Sequence, residues 1–192
     1  MSALAQPTDA ELHHRLMAGD EAAFTQVYRR HKDVVYRFAL MLCGASGLAA
    51  DATQETFLLL IREPARFDPA RGGLSAFLLG VVRNLVRRGR DDQAVAAPDE
   101  DDATADCSHD PTPLATLLAG ETLNSLHQAI LSLPFAYREA LVLCDLQELP
   151  YLDAANVIGC PIGTVRSRLN RARARLAELL AEHAPLRLET TL

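Results

Sequence analysis

The chain is 192 residues long, with 49% apolar residues, 23% charged residues and a net charge of −6. Those proportions exclude a fibrous repeat or a wholly disordered chain, and the length allows one ordinary domain or two small ones. Apolar stretches such as residues 57–61 and 78–82 fall far short of the roughly 18 residues a membrane span needs. The opening MSALAQPTDAEL lacks a basic stretch followed by an apolar one. No membrane insertion and a cytoplasmic setting are therefore expected.

Residues 21–42 place Phe24, Val27, Tyr28, His31, Val34, Val35, Phe38 and Leu42 at three- and four-residue intervals, with Asp20 available as an N-cap. This predicts a long amphipathic helix. A second helix is expected over residues 49–62, ending before Pro64. Its consecutive Leu58, Leu59 and Leu60 cannot all face inward, so at least one should meet a partner or solvent. Leu74, Phe77, Leu78, Val81, Val82 and Leu85 define a third helix. On it Arg83, Arg87 and Arg90 are expected to fall together, opposite the apolar stripe. No acid lies between Asp68 and Asp91 to balance them. Such a face repels itself unless an anion covers it, so with Phe67 in the glycine-containing loop ahead it suits a nucleic-acid backbone.

Residues 91–110 hold eight acids and no Lys or Arg, a charge that exceeds the whole net charge and leaves the rest of the chain positive. Continuing through Pro111 and Pro113, this stretch has almost no large apolar side chain and cannot offset the entropy of ordering. It predicts a flexible acidic linker over residues 91–113, between a domain at 1–90 and another at 114–192. Lying between two arginine clusters, the linker is expected to compete with DNA for both.

In the C-terminal half, Leu133-Pro134 opens a predicted helix through Tyr137, Leu141 and Leu143. A short helix over residues 151–158, a turn at Gly159-Cys160-Pro161 and a long helix from Ile162 follow. This is the layout of a helix-turn-helix, with Ala154 and Ala155 small enough for close approach. Ile162, Val165, Leu169, Ala172, Leu176 and Leu179 form the inward stripe of the long helix. Thr164, Ser167, Asn170 and Arg171 point outward, able to enter a major groove, flanked by Arg166 and Arg168 within reach of phosphates. The fold class expected is all-α: two small helical domains and a flexible acidic linker, the C-terminal domain containing the helix-turn-helix.

The four cysteines and six histidines lack the close ligand pairs of a metal site. No metal, no cofactor and no disulfide are expected. A helical metalloenzyme or redox sensor has no support from their spacing. A stand-alone regulator, with a DNA-binding C-terminal half and a sensing or dimerising N-terminal half, is the other alternative.

The segment LPFAYREALVLCDLQELPYLDAANVIGCPIGTVRSRLNRARARL strongly resembles region four of bacterial RNA polymerase sigma factors of the extracytoplasmic-function (ECF) class. DATQETFLLLIR resembles the region-two helix that docks on the polymerase clamp, and FDPARGGLSAFLLGVVRNLVRRGRD the promoter-melting segment that follows. The stand-alone regulator leaves both region-two resemblances unexplained. The resemblance implies that Asp51, Gln54, Glu55 and Leu58 bind the clamp of the large catalytic subunit. It implies that Phe67, Arg71, Phe77, Arg83, Asn84 and Arg87 capture the minus-ten element, and that Thr164, Arg166, Ser167, Arg168, Asn170 and Arg171 read the minus-thirty-five element. It further implies the flap of the other large subunit and an anti-sigma factor as partners, promoter DNA as ligand, and no catalysis by this chain.

Departures from the family pattern stand at Ile61 and Phe77, where tryptophan is common, and at Pro150, where a Ser or Thr often caps the helix. With less aromatic stacking, melting depends more on the loop. Leu59 and Leu152 stand where charges are usual, and exposure would make them partner-facing.

Overall fold

The structure is a computed structural model and describes residues 6–95 and 121–182. Its described residues form helices and turns, with no strand among them. The N-terminal domain contains α1 (Asp9–Met17), α2 (Glu21–Cys43), α3 (Ser46–Arg62) and α4 (Leu74–Val95). The C-terminal domain contains α5 (Glu121–Leu131), α6 (Phe135–Leu141), a five-residue π turn (Val142–Leu146), α7 (Tyr151–Ile158) and α8 (Ile162–Glu182).

Helix α1 was not anticipated, although its start is written in the sequence as T-x-x-E. The Thr8 hydroxyl accepts from the Glu11 backbone N–H at 3.3 Å, while the Glu11 carboxylate accepts from the Thr8 N–H at 2.7 Å. That reciprocal pair satisfies two donors that a helix start otherwise leaves open. The Thr8 backbone N–H, and then its hydroxyl, hold the Glu11 carboxyl below the usual range. Asp20 caps α2 as expected, accepting from the N–H groups of Ala22 at 2.9 Å and Ala23 at 3.1 Å. Its carboxyl is also lowered, first by Arg15 and then by the Ala23 N–H. Gly44, at φ 73°, ends α2 in the left-handed region that suits glycine.

Between α3 and α4 the chain makes two short 3₁₀ turns, Pro64–Arg66 and Pro69–Arg71, the second capped by Asp68 accepting from the Ala70 N–H at 2.9 Å. Helix α4 then buries Leu74, Leu78, Leu79, Val82 and Val86 against α2 and α3. It runs to Val95, beyond the boundary expected at residue 90. The rest of the acidic linker lies outside the described residues.

In the C-terminal domain the helix expected to run through Leu143 stops being α-helical at Leu141. The Gln147 N–H reaches back five residues to the Val142 carbonyl at 2.9 Å, which widens the turn. Gly159, at φ 76°, makes the turn between α7 and α8, and Val165, Leu169 and Ala172 of α8 pack into the core. The buried apolar residues of both domains join in one cluster, α7 packing on α4 and α5 and α6 on α2.

Candidate nucleic-acid interface

On α8, alternation between packed and polar positions decides which groups face out. With Val165, Leu169 and Ala172 buried, Arg166, Ser167, Asn170 and Arg171 are exposed and Thr164 is half-buried. The Arg166 guanidinium lies 5.7 Å from the Tyr151 ring centroid, close enough for a cation–π contact. Arg173 forms a two-pronged ion pair with Asp145, at 2.9 and 2.6 Å, which pushes its proton affinity above the usual arginine range. Arg175 pairs with Glu178 at 3.0 Å. Arg168 turns inward to Glu139 at 3.2 Å. The arginine run thus resolves into residues anchored on their own domain and a smaller outward set of Arg166, Ser167, Asn170 and Arg171.

The N-terminal face is built by the loop after α3 and the first half of α4. Phe67, Arg71, Phe77 and Asn84 line a cleft of about 530 Å³, together with Arg66 and the backbone of Gly72 and Gly73. Its far wall belongs to α7, through Asp153, Asn156 and Val157. Phe67 is only 5% exposed. Its ring meets the edge of His13 at 4.8 Å and packs on Phe77 at 5.5 Å, and His13 Nε2 lies 2.8 Å from the Pro64 carbonyl. Phe67 therefore anchors the loop to α1 and α4, and offers little open face to a base in this arrangement.

Arg83 departs from the expectation of a solvated stripe shared with Arg87 and Arg90. It is 7% exposed, with Nε donating to Glu139 at 2.8 Å and its guanidinium donating to Asn84 Oδ1 at 3.1 Å. Arg87 remains exposed, and Arg90 lies over the Phe135 ring at 4.8 Å. An anion does cover part of the α4 face. It is a glutamate of the C-terminal domain, which no pattern along residues 68–91 could disclose.

Elsewhere on the N-terminal domain, Asp51, Gln54 and Glu55 are exposed on α3, with Glu55 3.5 Å from Arg62. Gln54 and Leu58 border a groove of about 530 Å³ between α2 and α3, lined also by Phe24, Tyr28, Phe57 and Ile61. Tyr28 and Ile61 were not among the expected site residues. Tyr28 sits on the apolar stripe of α2 yet is 40% exposed, its ring packed edge-on against Phe57 at 4.9 Å. Leu59 is half-buried, and Leu152 stands exposed on α7.

The fold and these surfaces define a two-domain helical protein with a helix-turn-helix on one domain and a loop-and-helix cleft on the other. The sigma-70 region 2 family model matches residues 27–95, and the sigma-70 region 4 model matches residues 123–176. The ECF RNA polymerase sigma factor SigM of Mycobacterium tuberculosis is 37% identical, over 90% of this chain and 85% of the relative. SigE of Mycolicibacterium smegmatis, also an ECF RNA polymerase sigma factor, is 34% identical over 86% of this chain and 66% of its own length. Among solved structures, the sigma factor RpoE of Bartonella quintana, in complex with the anti-sigma factor NepR, superposes with a TM-score of 0.64. It is 29% identical, covering 82% of this chain and 96% of the other. The chain belongs to the ECF family of RNA polymerase sigma factors.

Proposed function

We propose that this chain binds core RNA polymerase in the cytoplasm and directs it to specific promoters, under the control of an anti-sigma factor. The observation that carries this reading is the presence of both sigma-70 regions in one chain and in order, with an exposed polar face on α8. Polymerase supplies the chemistry of bond formation, and this chain supplies promoter choice and strand separation.

In this reading Asp51, Gln54, Glu55 and Leu58 dock on the clamp of the large catalytic subunit. The apolar groove beside them provides the buried area that a charged helix face alone lacks. Thr164, Arg166, Ser167, Arg168, Asn170 and Arg171 read the minus-thirty-five element from the major groove. Bases are discriminated by the outward polar groups, and phosphates are held by the flanking arginines. Arg71, Phe77, Asn84 and Arg87 hold the opened minus-ten strand, joined by Arg83 once its present partner is released. Phe67 contributes by fixing the loop. Opened bases need a pocket and the backbone needs cations, and the loop-and-α4 side of the cleft offers both. The flap of the other large subunit takes the C-terminal domain.

Transcription from a promoter library with purified core polymerase, with and without the full chain, tests this. Initiation that requires both is expected, and it returns the promoter motif at once. Specific DNA binding by the chain without core, and no stimulated initiation, would overturn it.

A further inference from the structure

Glu139 is 1% exposed. An ionised carboxylate taken that far from water is strongly unfavourable unless it is paired and hydrogen-bonded. Two guanidiniums hold it: Arg83 from α4 at 2.8 Å on one carboxylate oxygen and Arg168 from α8 at 3.2 Å on the other. Arg83 crosses from the N-terminal domain and belongs to a face that would otherwise meet DNA, while Arg168 shares the C-terminal domain with Glu139 and braces it from within.

Three further observations lie along the same junction. Arg138, the neighbour of Glu139, donates across the domains to the Leu42 carbonyl at 2.6 Å. Arg90 of α4 covers the Phe135 ring of α6. Helix α7 forms the far wall of the cleft that contains Arg71, Phe77 and Asn84. The N-terminal domain therefore already has a ligand, and that ligand is its own C-terminal domain.

We propose that the unbound chain holds itself closed through this interface, Glu139, braced within its own domain by Arg168, standing in for DNA phosphate at Arg83 while α7 covers the minus-ten cleft. The proposal rests on the promoter-directing reading and adds that the closed state needs no second protein. A buried ion pair is roughly neutral against an apolar replacement, so the clamp specifies an arrangement more than it adds stability. Phosphate offers Arg83 an equally strong charge-assisted bond, so opening exchanges one anion for another at that residue. The minus-ten element can be engaged only after that exchange, because Arg83 cannot serve Glu139 and DNA together.

The test uses the full chain, as wild type, Glu139→Gln and Asn156→Trp. Asn156 is exposed and lines the cleft from α7, so a large ring there wedges the domains apart without entering either core. Small-angle scattering should find the wild type compact and both variants larger in radius of gyration by roughly a fifth, the scale of separating two such domains. Circular dichroism should show helix content unchanged. Glu139→Gln should bind a random-sequence DNA duplex about tenfold more tightly, as expected when a dominant closed state is released, and should still support initiation with saturating core polymerase. A wild type already extended, or two folded variants as compact as the wild type, would overturn the proposal. If Glu139→Gln loses helix, Asn156→Trp decides alone. Absence of initiation with all three chains, the wild type included, would overturn the promoter-directing reading, while the scattering would still decide the closed state.

Discussion

The arginines of α8 are answered mostly from inside the C-terminal domain: Arg166 by Tyr151, Arg173 by Asp145 and Arg175 by Glu178. On α4, Arg83 and Arg90 are answered from outside their own domain, by Glu139 and by Phe135. The α8 surface keeps its shape wherever its domain goes. The α4 surface changes its partners when the domains part. A DNA-reading face needs fixed geometry, because bidentate base contacts tolerate little displacement, whereas a strand-holding face can be assembled when required. The two helices carry similar charge and differ in when that charge becomes available.

The largest expected effect probes the residue that belongs to both sides of this difference. Arg138 is buried and donates to the Leu131 and Leu133 carbonyls within its domain as well as to Leu42 across the junction. Arg138→Met strands these buried acceptors and should lower unfolding stability by about 3 kcal/mol in chemical denaturation. A loss under about 1 kcal/mol would mean that water replaces the guanidinium, and that α6 does not fix the junction.

Next in size is a pair of substitutions that separates reading from holding. Arg171→Ala, on the self-contained face, should cost about 1 to 3 kcal/mol in discrimination between promoter variants. Arg87→Ala, on the conditional face, should weaken binding uniformly across sequences and reduce the slope of log affinity against log salt by about 1. Initiation assays over the promoter library at two salt concentrations measure both. A uniform loss for Arg171→Ala would remove the distinction between the helices.

What could be foreseen from the sequence divides along the same line. The helix-turn-helix was legible because its determinants are local: Ala154, Ala155, Gly159 and the period of Val165, Leu169 and Ala172 all lie within twenty residues. The Asp20 cap and the α3 stop before Pro64 were legible for the same reason. Helix α1 carries the Thr8–Glu11 signal too, but at nine residues it offers little apolar periodicity to set beside its cap. The burial of Arg83 was not legible at all. Its partner lies 56 residues away in sequence, and the linker was the expected source of negative charge. The acid seen against Arg83 and Arg168 is a single residue of α6, next to an arginine that gives it no local look of a site. Phe67 was expected at the site for its aromatic ring, and its packing on His13 depends on α1 folding back onto the loop.

That bracing gives a smaller prediction confined to the N-terminal side. Thr8→Ala removes the hydroxyl of the capping pair and should lower stability by about 1 kcal/mol, seen as a lower thermal midpoint. With α1 frayed, His13 holds Phe67 and the Pro64 carbonyl less firmly, so hydrogen exchange should rise over the 63–73 loop. Exchange over α8 should stay unchanged. An equal rise in both would mean that the C-terminal domain depends on α1 and is not self-contained.

The smallest expected change concerns Leu152, 59% exposed on the first turn of α7. Its side chain removes little apolar surface from water, so Leu152→Glu loses little burial. The helix begins after Pro150 with no side-chain cap, and an added carboxylate there faces the positive end of the helix dipole. The two effects nearly cancel, and unfolding stability should stay within about 0.5 kcal/mol of wild type, with any gain of the sign the dipole dictates. Because folding is so little disturbed, any fall in initiation with core polymerase reports a partner seated on α7. A stability loss above about 1 kcal/mol would instead show that Leu152 packs within the protein, and would move this part of α7 from the conditional surface to the fixed one.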